Sequence, residues 1–144
     1  NSQVNESLWE PLGPYKENSN SEKSYGIGRV NTIAVDPFEP SIIYVGTPSG
    51  GIWKSIDGGE NWLPLTDFVG AIGVSDIAID PGNPETIYIA TGDNDGGASY
   101  SSGLMKSTDG GMNWMSTGLN FNVSETETMY FVKIDPQNTQ VLYV

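Results

Sequence analysis

Residues 91–103 form a stretch rich in Gly, Ser and Asp, and it holds the side chains best suited to binding a metal ion. Asp93, Asn94 and Asp95 offer hard oxygen atoms of the kind that calcium takes, and the neighbouring glycines would let the backbone wrap around an ion. The EF-hand pattern with its terminal bidentate Glu is missing, so an ordinary exposed loop is the alternative interpretation. Calcium in this loop is the one candidate cofactor that the sequence suggests.

Asp76 and Asp93 are the candidates for acid catalysis, since glycoside hydrolysis uses two carboxyl groups that flank the scissile bond. No motif fixes either residue in that role, and Asp76 is more simply interpreted as a strand cap or a structural hydrogen-bond acceptor. Cys and His are absent from the chain, which excludes disulfides, thiolate catalysis and the usual general base and zinc ligand. We therefore assign no catalytic residue from the sequence.

The charge balance excludes several classes of partner. Asp and Glu number 18 against 6 Lys and Arg, which gives a net charge of −12. Such a surface repels phosphate backbones and anionic lipids, so we expect no nucleic-acid partner. Long apolar runs are missing as well, and no membrane insertion is expected. The polar start, Asn1-Ser2-Gln3, is consistent with a processed secreted protein and equally with a cloning boundary.

The elements that would position these side chains are repeated along the chain. Residues 55–62, Ser-Ile-Asp-Gly-Gly-Glu-Asn-Trp, return as residues 107–114, Ser-Thr-Asp-Gly-Gly-Met-Asn-Trp. We call these two octapeptides box 1 and box 2. Each is preceded by an Ile- and Val-rich strand that ends in Asp-Pro and by a second short apolar strand. A period of roughly 40 to 55 residues made of short strands indicates a repeat architecture.

Each repeat predicts four antiparallel strands, A to D, which is the composition of a β-propeller blade. The fold class is therefore all-β, and the predicted units are an N-terminal closing strand at about 8–12 with a polar link (1–24), blade 1 (25–66), blade 2 (67–118) and the start of blade 3 (119–144). The closing strand is predicted because Trp9-Glu10-Pro11-Leu12 matches Trp62-Leu63-Pro64-Leu65, a strand D. It would complete the last blade of a longer chain, of which these residues are a part. A chance match is the alternative.

The two octapeptides resemble the Asp-box, or BNR repeat, with Asn in place of the Thr of the family pattern. The wider sequence, including residues 28–31, 47–54 and 73–76, looks like the secreted propellers grouped with sortilin-like and xyloglucanase-like proteins, many of them from Bacteroidetes with a type IX secretion signal. Turn chemistry explains every position of the box, because the Asp accepts backbone N–H groups and the glycines adopt positive φ. The residues predicted to be structural are Ser55, Asp57, Gly59, Trp62, Ser107, Asp109, Gly111 and Trp114.

Propeller topology sorts the loops onto two faces. The A–B turns and the boxes share one face, whereas the B–C loops and the start of each strand A share the other. We expect ligands on the second face, which we call the entry face. Its candidate binding residues are Tyr25, Arg29, Asn31, Ser49, Ser75, Asp76 and Tyr100.

Three functions remain open at this stage. The first is a secreted or bacterial cell-surface module that presents loops to a glycan or a protein. The second is a glycoside hydrolase of the xyloglucanase type, for which the resemblance implies an acid in the blade 1 loop. That loop reads Thr47-Pro48-Ser49-Gly50-Gly51 and holds no carboxylate, so any catalytic acids would lie partly outside these residues. The third is an architectural spacer. The predicted partners are the remaining blades, the ligand and secretion or outer-membrane machinery.

Overall fold

The computed structural model describes residues 28–69, 72–93 and 99–144. The predicted closing strand at 8–12, Tyr25, Asn94 and Asp95 lie outside these residues. Within the described part of the chain, no helix is long and apolar enough to cross a membrane.

Short strands make up almost all of the regular structure, with one turn of 3-10 helix at Val123–Glu125. In chain order the strands are β1 (Thr32–Val35), β2 (Ile43–Gly46), β3 (Ile52–Ser55), β4 (Leu63–Pro64), β5 (Val74–Ile79), β6 (Ile87–Thr91), β7 (Gly103–Ser107), β8 (Met115–Asn120), β9 (Lys133–Asp135) and β10 (Asn138–Tyr143).

The strands form three antiparallel sheets in strict chain order, β1-β2-β3-β4, then β5-β6-β7-β8, and a two-stranded sheet of β9 and β10. We refer to these sheets as blades 1, 2 and 3. Strand C of blade 1 is Ile52–Ser55, and strand A of blade 2 is Val74–Ile79. Strand D is only Leu63–Pro64 in blade 1, shorter than the predicted 62–65, and in blade 2 it extends to Asn120, past the predicted end of the blade at residue 118. Strand ends depend on pairing partners, which local sequence does not specify.

Strand alternation gives each blade two apolar faces. In β2, Tyr44 points towards blade 2 and is 1% exposed, while in β6 Ile87 and Ile89 point back towards blade 1 and are both 0% exposed. Together with Ile52, Leu65, Val74 and Ile77 they form the core between blades 1 and 2. Burying a side chain of this size stabilises the folded state by about 1.5–3 kcal/mol. This core therefore holds the two blades face to face.

A second, smaller core lies between blades 2 and 3. It consists of Tyr88, Ala90 and Leu104 from blade 2 with Met129 and Val132 from the chain that leads into blade 3. Tyr88 and Leu104 hold the same positions in blade 2 that Tyr44 and Ile52 hold in blade 1. The blades are therefore stacked by the same side chains in each repeat, and this regular stacking sets where the loops of neighbouring blades meet.

The two boxes form matching turns between strands C and D. In box 1, Gly59 N donates to Ser55 Oγ at 2.8 Å, and Asp57 accepts from Asn61 N at 2.9 Å and from Asn61 Nδ2 at 2.7 Å. Box 2 repeats these contacts through Ser107, Asp109 and Asn113 at distances of 2.8, 2.9 and 2.8 Å. The central glycines adopt positive φ in both boxes, which a side chain would oppose. These bonds account for the Ser, Asp and Asn residues that the two octapeptides share.

Candidate functional site on the entry face

The entry face is held together by hydrogen bonds between blades 1 and 2. Val74 N donates to Thr47 O at 2.9 Å, and Gly51 N donates to Ile72 O at 3.0 Å. From the long B–C loop of blade 2, Ser99 Oγ donates to Pro48 O at 2.7 Å. Space here is tight, because a Cβ on Gly73 would lie 2.2 Å from Pro48 O. The loops that could meet a ligand are thus fixed against one another before any ligand arrives.

Arg29 and Asp93 form an ion pair across this face. Arg29 Nη2 lies 2.5 Å from Asp93 Oδ1, and the Arg side chain is 40% exposed while the Asp side chain is fully buried. Asn31 Nδ2 donates to the same Asp oxygen at 3.4 Å, and Asp93 N donates to Ser99 O at 2.9 Å. A buried carboxylate needs such partners. The structure thus pairs Arg29 with a carboxylate of the protein itself.

Asp76 connects three blades. Its Oδ1 accepts from Thr32 Oγ1 of blade 1 at 3.1 Å and from Ile77 N at 3.0 Å, and its Oδ2 accepts from Val132 N at 3.1 Å and Lys133 Nζ at 2.6 Å. The ladder between β5 and β6 shifts between Val74 and Asp76, a bulge of the kind that re-aims a side chain. The structural interpretation of Asp76, as an acceptor at the start of a strand, agrees with this geometry.

The remaining entry-face candidates differ in accessibility. Ser49 and Tyr100 are exposed, Tyr100 by 46%. Ser75 is buried, and its hydroxyl donates to Gly92 O at 3.0 Å, so it serves the loop rather than the surface. The structure therefore brings Arg29, Asn31 and Asp93 into one cluster, sets Asp76 in another, and leaves Ser49 and Tyr100 open to solvent.

The chemistry open to these groups is limited. Both candidate acids, Asp76 and Asp93, are engaged by a cation and by further donors, an environment that suits structural carboxylates. Blade 1 offers Pro48 and Ser49 where the xyloglucanase resemblance implies an acid. Within 28–69, 72–93 and 99–144, no three acidic side chains are grouped in a way that could hold a metal ion. The calcium site, which includes Asn94 and Asp95, stays a prediction.

One carboxyl group in each box has a lowered pKa. Hydrogen bonds from Asn61 lower the pKa of Asp57 to about 2, and those from Asn113 lower the pKa of Asp109 to about 2. Such a shift marks a carboxylate that is kept ionised as a turn acceptor. It does not fit a general acid, which needs a raised pKa.

Sequence reasoning missed Thr32 and Lys133 as partners of Asp76. Both lie at the start of a strand A, and the repeat places the starts of neighbouring A strands side by side. That alignment could have predicted the contacts, because Asp76 lies near the start of β5, the strand A of the blade in the middle. The donor Val132 N could not be predicted, since the link of residues 121–132 has no counterpart of equal length between blades 1 and 2.

Comparison with solved structures identifies the architecture. The chain superimposes on an ancestral GH74 enzyme with a TM-score of 0.65 and 25% identity, covering 80% of this chain and 16% of that one. It superimposes on the GH74 xyloglucanase from Xanthomonas campestris with a TM-score of 0.58 and 21% identity, covering 80% and 18%. This chain forms blades of a β-propeller. The predicted all-β propeller fold is thereby confirmed.

Sequence relatives point in the same direction. The propeller chain is 33% identical over 128 residues to a xyloglucanase of Paenibacillus sp, covering 82% of this chain and 12% of that protein. It is 38% identical over 96 residues to a probable oligoxyloglucan-reducing end-specific xyloglucanase of Neosartorya fischeri, covering 62% and 11%. No family model matches the sequence. The chain is xyloglucanase-like and spans about a tenth of the length of these relatives.

Proposed function

We propose that this propeller segment forms part of a secreted or cell-surface binding module, whose entry face recognises a glycan of the β-glucan class without cleaving it. The glycan class is suggested by the xyloglucanases among its relatives. The absence of cleavage is suggested by one feature above all: Pro48 and Ser49 stand in the blade 1 loop where the resemblance implies an acid.

Two further features support binding over catalysis. Asp76 is bonded to Lys133 and to the backbone of Val132, and Asp93 is bonded to Arg29. Freeing either carboxylate for proton transfer would break an ion pair and leave its partner without that charge. Exposed Tyr100 and Ser49, in contrast, are available on a rigid framework, where an aromatic ring can offer apolar area and a hydroxyl.

The test combines binding and turnover on the full chain. Calorimetry with xyloglucan oligosaccharides should show binding, and a reducing-sugar assay on the same samples should show no release of product. Tyr100→Ala should weaken binding about tenfold, equivalent to ~1.4 kcal/mol. Phe38→Ala is the matched control, because Phe38 is 69% exposed in the A–B turn on the opposite face. Unchanged affinity in Tyr100→Ala, or equal losses in both variants, would count against the proposed surface.

A glycoside hydrolase is the second candidate, and the similarity to xyloglucanases is the observation that favours it. Its catalytic carboxylates would lie partly outside these residues. Release of reducing ends by the full chain, lost on substitution of one such carboxylate, would replace the binding proposal with this one. Neither binding nor release across a panel of β-glucans would leave protein recognition or an architectural role.

A further inference from the structure

Tyr100, the exposed aromatic residue of the entry face, lies between two residues that are bonded to different parts of the chain. On its N-terminal side, Ser99 Oγ donates to Pro48 O of blade 1 at 2.7 Å. On its C-terminal side, Ser101 N donates to Glu127 O at 2.9 Å, in the link that leads into blade 3. A side chain that is 46% exposed is thus carried on a backbone that is held from both sides.

The contact of Ser99 with blade 1 leaves its hydroxyl group little freedom. A Cβ on Gly73 would lie 2.1 Å from Ser99 Oγ and 2.2 Å from Pro48 O, so the two atoms can meet here only because Gly73 has no side chain. The Ser99 carbonyl is engaged as well, since it accepts from Asp93 N at 2.9 Å. The hydroxyl and the carbonyl of the residue before Tyr100 therefore both have fixed partners.

The contact on the other side of Tyr100 is buried. Ser101 and Thr91 are both 0% exposed, and their hydroxyl oxygens lie 3.1 Å apart. Ser101 Oγ also accepts from Gly103 N at 2.9 Å, and Thr91 Oγ1 donates to Gly103 O at 2.6 Å. A buried network whose members are all bonded is rigid, so the sheet of blade 2 sets the position of Ser101.

The backbone that receives Ser101 N is strained. Thr126, the residue before Glu127, has a φ of 57°, and in the described ranges no other residue except glycine has a positive φ. A β-branched side chain opposes this conformation, which persists only where the surrounding structure demands it. Strain of this kind concentrates at ligand-binding segments, and here it lies next to the carbonyl that holds the Tyr100 loop.

We propose that Ser99 is a positioning residue for the ligand, because its hydrogen bond to blade 1 holds the Tyr100 ring in the orientation that a glycan needs. This role rests on the proposed function, in which Tyr100 contacts the glycan. A ring that is held in place before binding loses less conformational freedom when the ligand arrives, and the difference appears as affinity. The blade 1 loop, which lacks the acid that the xyloglucanase resemblance implies, thus supports recognition by the loop of blade 2.

Calorimetry of the full chain with xyloglucan oligosaccharides tests this role. Ser99→Ala removes the donor and should weaken binding about fivefold, the size expected for one hydrogen bond. Thr117→Val is the matched control and should leave the affinity unchanged, because it removes a hydroxyl that donates to a backbone carbonyl, Leu104 O at 3.0 Å, within blade 2. If Ser99→Ala does not fold, Ser99→Cys replaces it, since a thiol is a weaker donor.

A double-mutant cycle separates positioning from a general loosening of the loop. In a Tyr100→Ala background, Ser99→Ala should cause no further loss of affinity, because its effect passes through the ring. Losses that add in the double variant would overturn the positioning role, and so would unchanged affinity in Ser99→Ala beside weakened binding in Tyr100→Ala; both results leave the proposed function standing. No binding by the parent chain, or unchanged affinity in Tyr100→Ala, would overturn both.

Discussion

Ile33 in blade 1 and Ile77 in blade 2 occupy the same position of strand A, yet one residue is 64% exposed and the other 6%. The sequences around them are nearly the same, and the strands have the same partners within each sheet. What differs is the neighbour: blade 2 is covered by blade 1, and the matching face of blade 1 has no cover among the described residues. Burial in this architecture is thus a property of the interface and not of the blade.

The entry face differs between the two blades in another way. Blade 1 joins strands B and C by residues 47–51, whereas blade 2 uses residues 92–102 for the same connection. The longer loop contains both ends of the hydrogen bond from Asp93 N to Ser99 O, and Ser99 Oγ donates back to Pro48 O of blade 1. Repeats that share one framework therefore diverge in the loops, which are free to change because they bear little of the core.

The largest expected effect tests the comparison at strand A. Ile77→Ala should lower the free energy of unfolding by about 2–5 kcal/mol, because it leaves a cavity in the core between the blades. Ile33→Ala, at the equivalent but exposed position of blade 1, should cost less than about 1 kcal/mol in urea unfolding. Equal losses for the two variants would show that the face of Ile33 is covered in solution.

The next effect concerns the carboxylate that bridges the blades. Asp76→Ala should destabilise the chain by about 1–3 kcal/mol, because the buried N–H of Val132 loses its acceptor. Lys133 adds little, since its side chain is 63% exposed and its ion pair is screened by solvent. Asp76→Asn, which keeps an acceptor oxygen, is the control and should lose less by thermal unfolding. Equal losses would mean that the charge, rather than the acceptor, matters.

A smaller effect separates the two Tyr–Lys pairs. Lys54→Met should cost about 0.5–1.5 kcal/mol, since it removes the donor to Gly110 O and the ammonium 5.2 Å from the Tyr44 ring centroid. Lys106→Met removes the equivalent cation–π contact with Tyr88, worth about 0.5–1 kcal/mol. Parallel denaturation of both variants measures the difference. A larger loss of stability for Lys106→Met than for Lys54→Met would contradict the interpretation that, of these two lysines, Lys54 makes the bond between blades.

The smallest effect is a dependence on pH that both boxes should share. The folded-state pKa of Asp57 and of Asp109 is about 2, below the ordinary value of 3.8, because Asn61 and Asn113 donate to the carboxylates. A depressed pKa gives stability that is present above about pH 4 and lost as the pH falls through 2. Asp57→Asn and Asp109→Asn should each flatten the fall in melting temperature between pH 4 and pH 2 to the same extent. Unequal effects would show that the boxes are not equivalent.

Much of the fold could be predicted from the sequence because blades are local structures. Residues 55–62 and 107–114 contain the Ser, Asp and Asn side chains whose hydrogen bonds shape their turns, and alternation along β2 and β6 marks both faces of each sheet. The entry-face cluster was predicted only in part. Asp93 and Arg29 were each singled out, but their pairing joins residues that are distant in the chain, and no local pattern specifies such a contact.

The sequence by itself determined the repeat, the four-stranded sheets and the chemistry of the box turns, because strand periodicity and glycine turns act over a few residues. Only the tertiary structure decided that Asp76 holds three blades together, that Asp93 is buried beneath Arg29, and that Gly110 receives Tyr44 and Lys54 from the neighbouring blade. Each of these contacts depends on how two sheets stack. Stacking is set by the summed shape of many side chains, which no short segment encodes.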